Sequence, residues 1–111
     1  MAAGDRTEAK LCAPTQLGTS TTTLFTVPSS HVYLVKQIIV TNTDTVDRVF
    51  SLAIGTAATA SNRVFSSLPI GANDTLVFDT ALVLVATDTL QGLADTASMV
   101  NVTAVGWDKE V

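Results

Sequence analysis

The fold is decided by a run in the first half of the chain, which reads Val32-Tyr-Leu-Val-Lys-Gln-Ile-Ile-Val-Thr41. Most of these residues are β-branched, aromatic or otherwise apolar, and such residues pack well on a pleated, half-buried sheet. Turn residues bound the run on both sides: Pro28-Ser29-Ser30 before it and Asn42-Thr43-Asp44-Thr45 after it. A run of this length and composition predicts a central β-strand.

Strands are also predicted on both sides of this run. Residues 48–55 alternate, with Phe50, Leu52 and Ile54 on one face, which indicates a strand with one buried face. Residues 99–107 alternate in the same way and close the chain. Shorter runs predict further strands at 11–17, 22–27, 63–68, 75–79, 81–85 and 90–94. Pro14 places the first of these at a sheet edge, because proline cannot donate to the ladder.

The number and spacing of these runs predict the fold class. No segment repeats apolar residues at the spacing of an amphipathic helix. About eight short strands with regular turns predict an all-β protein, an antiparallel β-sandwich or jelly roll. A small closed barrel is the alternative. The chain has 111 residues, which suits one domain, predicted at residues 11–111.

Residues 1–10 differ from the rest of the chain, since they are polar and carry Asp5, Arg6, Glu8 and Lys10. They predict an extended N-terminal arm outside the core, either frayed or ordered against a neighbouring subunit. These four residues and Trp107 are therefore the candidate partner-contact residues. Trp107 lies near the C-terminus and is either an exposed anchor for a partner or a residue that closes the core.

The charge content indicates what kind of surface the protein presents. Charged residues make up 14% of the chain, against about 25% in an average soluble domain. Extensive coverage by neighbouring subunits is one explanation, and a Thr-rich β-domain is the other. The net charge is −4 and no cluster of Lys and Arg occurs. We therefore expect no nucleic-acid partner and no membrane partner.

Residues able to perform chemistry are few. His31 is the only histidine and Cys12 the only cysteine, and no Gly-x-Ser-x-Gly motif accompanies them. We expect no catalytic residues, no metal site and no cofactor. Turn aspartates could supply oxygen ligands to calcium, but no EF-hand pattern occurs, and we expect them to cap turns. Most aromatic residues lie within strand patterns and are expected in the core.

One family resemblance follows the order of strands and turns. It runs from Tyr33-Leu-Val-Lys-Gln-Ile-Ile-Val-Thr-Asn-Thr-Asp44 through Gly71-Ala-Asn-Asp-Thr-Leu76 and Leu82-Val-Leu-Val-Ala-Thr-Asp-Thr-Leu90 to Ser98–Gly106. This order resembles small β-sandwich virion proteins encoded in the structural gene blocks of tailed bacteriophages. The resemblance covers residues 22–107 and carries no residue-level motif.

The resemblance implies a non-enzymatic structural protein of the virion, made in the cytoplasm of the host bacterium. Such proteins decorate or cement the capsid, or lie at the neck or tail, often as trimers or rings. The implied partners are other copies of the chain and the major capsid or tail proteins. The N-terminal arm favours a capsid decoration protein. The alternatives are a neck or tail accessory protein and a carbohydrate- or receptor-binding module of a tail fibre.

Overall fold

The computed structural model describes residues 6–55 and 62–110, and this part of the chain contains strands and no helix. The strands are all antiparallel to their neighbours. In chain order they are β1 (Arg6–Gln16), β2 (Thr22–Thr26), β3 (His31–Asn42), β4 (Arg48–Ile54), β5 (Arg63–Ile70), β6 (Thr75–Leu84), β7 (Thr89–Ala94) and β8 (Val100–Glu110). The all-β class is confirmed.

The strands form two sheets of four. The first sheet has the order β1-β8-β3-β6, and the second has the order β2-β7-β4-β5. Strand 1 therefore pairs with 8, 2 with 7, 3 with 6 and 4 with 5. Two separate sheets make a β-sandwich, as predicted, and not a single closed barrel. The strand that contains the Val32–Thr41 run, β3, lies between two neighbours, as its composition predicts.

The core lies between the two sheets. Phe50 of the second sheet is fully buried, and its ring lies 6.3 Å from that of Phe78 in the first sheet. Phe65 packs 4.7 Å from Phe78. Near the other end of the sandwich Phe25 and Tyr33 join the two sheets at 5.4 Å. Rings at this separation attract one another, so the aromatic residues predicted for the core hold the sheets together.

The structure differs in detail from three of the predicted strands, those at 63–68, 75–79 and 81–85. Strand β5 continues through Pro69, and β6 is one strand where two short ones were expected. Both β5 and β6 are edge strands, and an edge strand tolerates proline because one side of its backbone has no partner. Strand β6 continues past Asp79 because the Thr80 hydroxyl donates to the carbonyl of Val35 in β3. Pro14 lies in edge strand β1, as predicted.

The expectation of one buried face on β4 is wrong. Phe50 and Leu52 are buried, but Ser51 and Ala53 on the opposite face are also buried. Ala53 stands between Gln91 and Arg63 in the two neighbouring strands. Alternation of residue type alone therefore does not report burial in this central strand.

The beginning of the chain differs from the predicted arm. Strand β1 runs without interruption from Arg6 through Lys10, and these residues pair with β8. The boundary predicted between residues 10 and 11 therefore falls inside a strand, while residues 1–5 lie outside the described residues. The described part of the chain contains no helix long and apolar enough to cross a membrane.

Candidate interaction surface on the outer face of the first sheet

The outer face of the first sheet, the one directed away from the core, carries apolar side chains among polar ones. Along β6 the side chains alternate strictly between exposed and more buried positions, and β8 alternates in a similar way. The outward positions of a strand are usually polar when that face meets water. Here they include the following six residues, which we call the apolar patch: Leu34, Ile39, Val77, Val83, Val105 and Trp107.

The register places the centre of this patch in one row across the sheet. Trp107 of β8 is the direct partner of Leu34 in β3, and Leu34 is the direct partner of Val83 in β6. Direct partners in antiparallel strands share a face and lie within side-chain contact. Val83 is 62% exposed and Val77 is 55% exposed. Asp79 and Ala81 separate these two valines along β6, so the apolar group is the row of Val83, Leu34 and Trp107. Such a group marks an interaction site more often than a single exposed side chain does.

Two depressions lie beside Trp107. The larger, of about 410 Å³, is bordered by Glu8, Lys10, Lys36 and Val105. The smaller, of about 190 Å³, is bordered by Val32, Leu34, Val83 and Lys109. Trp107 lines both. The indole therefore lies between two shallow concavities, a shape that a protruding side chain of a partner can fill.

The chain's three lysines, Lys10, Lys36 and Lys109, all border these depressions. The chain as a whole carries a net charge of −4. No ion pair within residues 6–55 and 62–110 involves any of the three. Glu8 is the one carboxylate among the described residues that border the two depressions, so the surroundings of Trp107 carry a net positive charge on an acidic protein. This favours a partner surface with negative charge.

A β-bulge shapes the larger depression. The register of β3 shifts between Val35 and Gln37, which leaves Lys36 as the extra residue. Gly106 lies opposite this bulge, where the β3 backbone approaches so closely that a side chain would overlap it. A bulge re-aims the side chain that it carries, and this one brings Lys36 to the depression beside Trp107.

The outer face of the second sheet differs in degree. The Thr23 hydroxyl donates to the Gln91 side chain at 3.1 Å, and Gln91 donates to the Thr89 hydroxyl at 3.0 Å. The Ser51 hydroxyl accepts from the backbone N–H of Ser67 at 2.9 Å.

The outer face of the first sheet has polar pairs as well, Gln37 with Asp79 and Thr41 with Thr75. It exposes its valines more, however, with Val77 at 55% and Val83 at 62% against 37% for Val64 in the second sheet. The first sheet is therefore the better candidate for an interface.

The structure brings together three of the five candidate partner-contact residues. Glu8, Lys10 and Trp107 line the larger depression. The main chain of Arg6 pairs with that of Lys109, and Asp5 lies outside the described residues. Trp107 is partly buried on the outer face, so it does not close the core. A role in partner contact stays a prediction for all five residues.

Other members of the surface were missed by sequence reasoning, notably Leu34, Val83 and Lys36. Leu34 and Val83 lie inside continuous apolar runs, where alternation does not separate inner from outer positions. Lys36 interrupts the most apolar strand of the chain, and this was the one available signal for the bulge.

His31 has a partner that its turn position did not predict. Its Nδ1 lies 2.6 Å from Oδ1 of Asp108, at the end of the first sheet. Tyr33 is the cross-strand partner of Asp108, and burial followed by the negative charge of Asp108 raises the pKa of the Tyr33 phenol. His31 is the cross-strand partner of Glu110, so its contact with Asp108 joins the beginning of β3 to β8.

The turn aspartates cap backbone groups, as predicted. Asp47 accepts from the N–H of Ala72, Asp88 from that of Val85 and Asp95 from that of Val49. Within the described ranges, no group of three or more His, Cys, Asp or Glu side chains is placed to hold a metal ion.

Comparison with known proteins finds relatives in fold. No protein-family model matches the chain, and no curated protein matches its sequence. Among solved structures, a chain from Bacillus endospore appendages, described as disulfide-linked pili, matches with a TM-score of 0.58 and 11% identity, over 99% of this chain and 92% of its own length. A chain of the T13 IBDV viral particle matches with a TM-score of 0.57 and 11% identity.

The match to the viral particle covers 96% of this chain and about 30% of the viral chain. A pentameric capsid protein from metagenomic phage sequences also matches, with 18% identity over 88% of this chain and 64% of its own, but at a TM-score of 0.32 nothing is concluded from it. At these identities a shared fold does not establish a shared function. The chain therefore shares its β-sandwich fold with a chain from endospore appendages and with part of a chain from a viral particle.

Proposed function

We propose that this chain is a non-enzymatic structural virion protein of a tailed bacteriophage, a capsid decoration or cement protein that packs against neighbouring subunits. In this proposal its partners are other copies of the chain and the major capsid protein. The protein is made in the cytoplasm of the host bacterium and ends in the virion. The apolar patch is the surface through which it joins the assembly.

The observation that carries the proposal is the contrast between the two outer faces of the sandwich. Strands lie about 4.8 Å apart and rise about 3.3 Å per residue, so four strands of about ten residues offer on the order of 600 Å². A standard protein interface buries about 800 Å² on each partner. One face is thus large enough for most of a stable interface, and the first sheet presents Trp107, Leu34 and Val83 on it.

The strand order gives further support. Eight strands paired 1–8, 2–7, 3–6 and 4–5 correspond to the jelly-roll arrangement that recurs in viral capsid domains. The fold relatives from a viral particle and from pili agree with a building block of a large assembly. A charge content of 14% suits a surface that neighbours cover.

The proposal is tested on particles from the organism that encodes the chain. Phage particles purified on a density gradient are digested and analysed by mass spectrometry, and intact particles are labelled with gold-conjugated antibody against the chain. Peptides of this chain in the particle fraction, with label over the capsid, are expected. Label confined to the tail would contradict the decoration role, and absence of the chain from particles would contradict a virion role.

A further inference from the structure

We infer that the partner seated on the apolar patch is a second copy of this chain, which inserts the β3–β4 turn, residues 43–47, between the lysines beside Trp107. This inference rests on the proposed function in one respect only, namely that the chain assembles with itself. It names the two surfaces that meet.

The β3–β4 turn presents an apolar side chain beside an exposed carboxylate. Val46 is 49% exposed and is followed by the exposed Asp47, whereas Asp44 is paired with Arg48 at 2.6 Å. The turn therefore carries the apolar and negative groups that the surroundings of Trp107 require.

The turn is also held in one shape. The buried Asn42 side chain donates from Nδ2 to the carbonyls of Val46, Ile70 and Gly71, at 3.0, 3.2 and 3.1 Å. Its Oδ1 accepts from the N–H of Asp44 at 2.9 Å. A segment that is already ordered loses little conformational entropy when it binds, so this turn is suited to insert into a partner.

The receiving surface matches the turn in both respects. Trp107, Leu34 and Val83 provide apolar walls, and Lys10, Lys36 and Lys109 surround them with positive charge. Asp74 and Asp95 lie in the neighbouring turns at the same end of the sandwich and add to its negative charge. Charges of opposite sign on the two surfaces steer the encounter and fix its orientation.

The β3–β4 turn and the apolar patch of one chain are too far apart to contact each other. Strand β8 begins at the end of the sandwich that carries the β3–β4 turn, and Trp107 is seven residues further along it. At about 3.3 Å per residue that separation is about 23 Å. The contact therefore joins the end of one copy to the face of another, either reciprocally in a two-fold dimer or head to tail in a ring or an open filament.

Cross-linking with introduced cysteines tests this contact. Val46→Cys and Val83→Cys are made in separate chains, both at exposed positions, and a short bismaleimide is added to each chain alone and to their mixture. We expect a covalent dimer in the mixture and at least tenfold less in either chain alone. Wild type, whose Cys12 is buried, and a mixture of Val83→Cys with Val64→Cys on the second sheet are the controls.

The outcomes separate this inference from the proposed function. Strong cross-linking of Val83→Cys alone would show that two apolar patches meet face to face, and would overturn the inference. Equal yields with the Val64→Cys control, or no cross-link while light scattering shows an oligomer, would also overturn it. In these cases the proposed assembly role remains, and only the surfaces named for it are wrong.

Discussion

Gly106 and Leu34 lie so close across the β8–β3 ladder that a Cβ atom on residue 106 would overlap the carbonyl oxygen of Leu34. The overlapping atom belongs to the backbone and cannot rotate away. Gly106 therefore permits the close approach at the bulge that re-aims Lys36, and the shape of the larger depression depends on it.

The first prediction is that Gly106→Ala destabilises the fold strongly. Overpacking a tight site costs about 1–3 kcal/mol, occasionally more, and a fixed backbone atom places this site at the upper end. Thermal unfolding should show Tm lowered by roughly 10 °C or more. Gly18→Ala is the matched control, because the nearest atom to its added Cβ is 4.0 Å away. Equal Tm values for the two variants would refute the close approach.

The second prediction concerns Asn42, whose side chain joins the turns at one end of the sandwich. Asn42→Asp keeps the side-chain oxygen that accepts from the N–H of Asp44. It replaces the donating amide nitrogen by an oxygen that faces the carbonyls of Val46, Ile70 and Gly71. Leaving buried carbonyls without a donor should cost about 3 kcal/mol, measured by urea unfolding. Asn73→Asp, at an exposed turn position with φ of 55°, should change stability by less than about 0.5 kcal/mol. Similar losses in both variants would contradict this role for Asn42.

The third prediction is a pH dependence at Asp44. The hydrogen bond from Arg48, followed by that from the N–H of Thr45, holds the pKa of Asp44 below its ordinary value of 3.8. A carboxyl with a lowered folded pKa stabilises the protein above pH 3.8, and this stabilisation is lost as the pH falls through the folded pKa.

Asp44→Asn should therefore have a lower Tm than wild type at pH 7, and the difference should shrink as the pH falls below about 3.8. Thermal unfolding followed by circular dichroism at pH 7 and at about pH 2.5 measures the Tm of both proteins. A difference in Tm that stays constant over this range would show that the ion pair with Arg48 is not its source.

Sequence reasoning recovered the strands because their signal is local. The Val32–Thr41 run, the alternation of residues 99–107 and the Asp-containing turns each mark a strand or its end. The nested order of the strands was not predictable in the same way. It depends on pairings between distant residues, such as Tyr33 with Asp108, and composition does not report these.

The candidate surface was predicted less completely. Trp107 and Lys10 were singled out by position and charge, but Leu34 and Val83 were hidden in apolar runs. The boundary predicted for the arm falls inside β1 for a related reason. Glu8 and Lys10 alternate with residues on the other face of β1. A polar edge strand has the same composition as a solvated arm, so composition does not distinguish the two. Removal of residues 1–10 would therefore delete part of β1.

The most direct test of the account is the mass of the protein in solution, measured by light scattering for wild type and Trp107→Ala over the same concentrations. The account predicts a defined oligomer for wild type and self-association about 30-fold weaker for Trp107→Ala, since loss of an aromatic anchor costs about 2 kcal/mol or more. Thermal unfolding should show that Trp107→Ala stays folded. A monomeric wild type, or equal association of a folded Trp107→Ala, would contradict the claim that the chain assembles through the outer face of its first sheet.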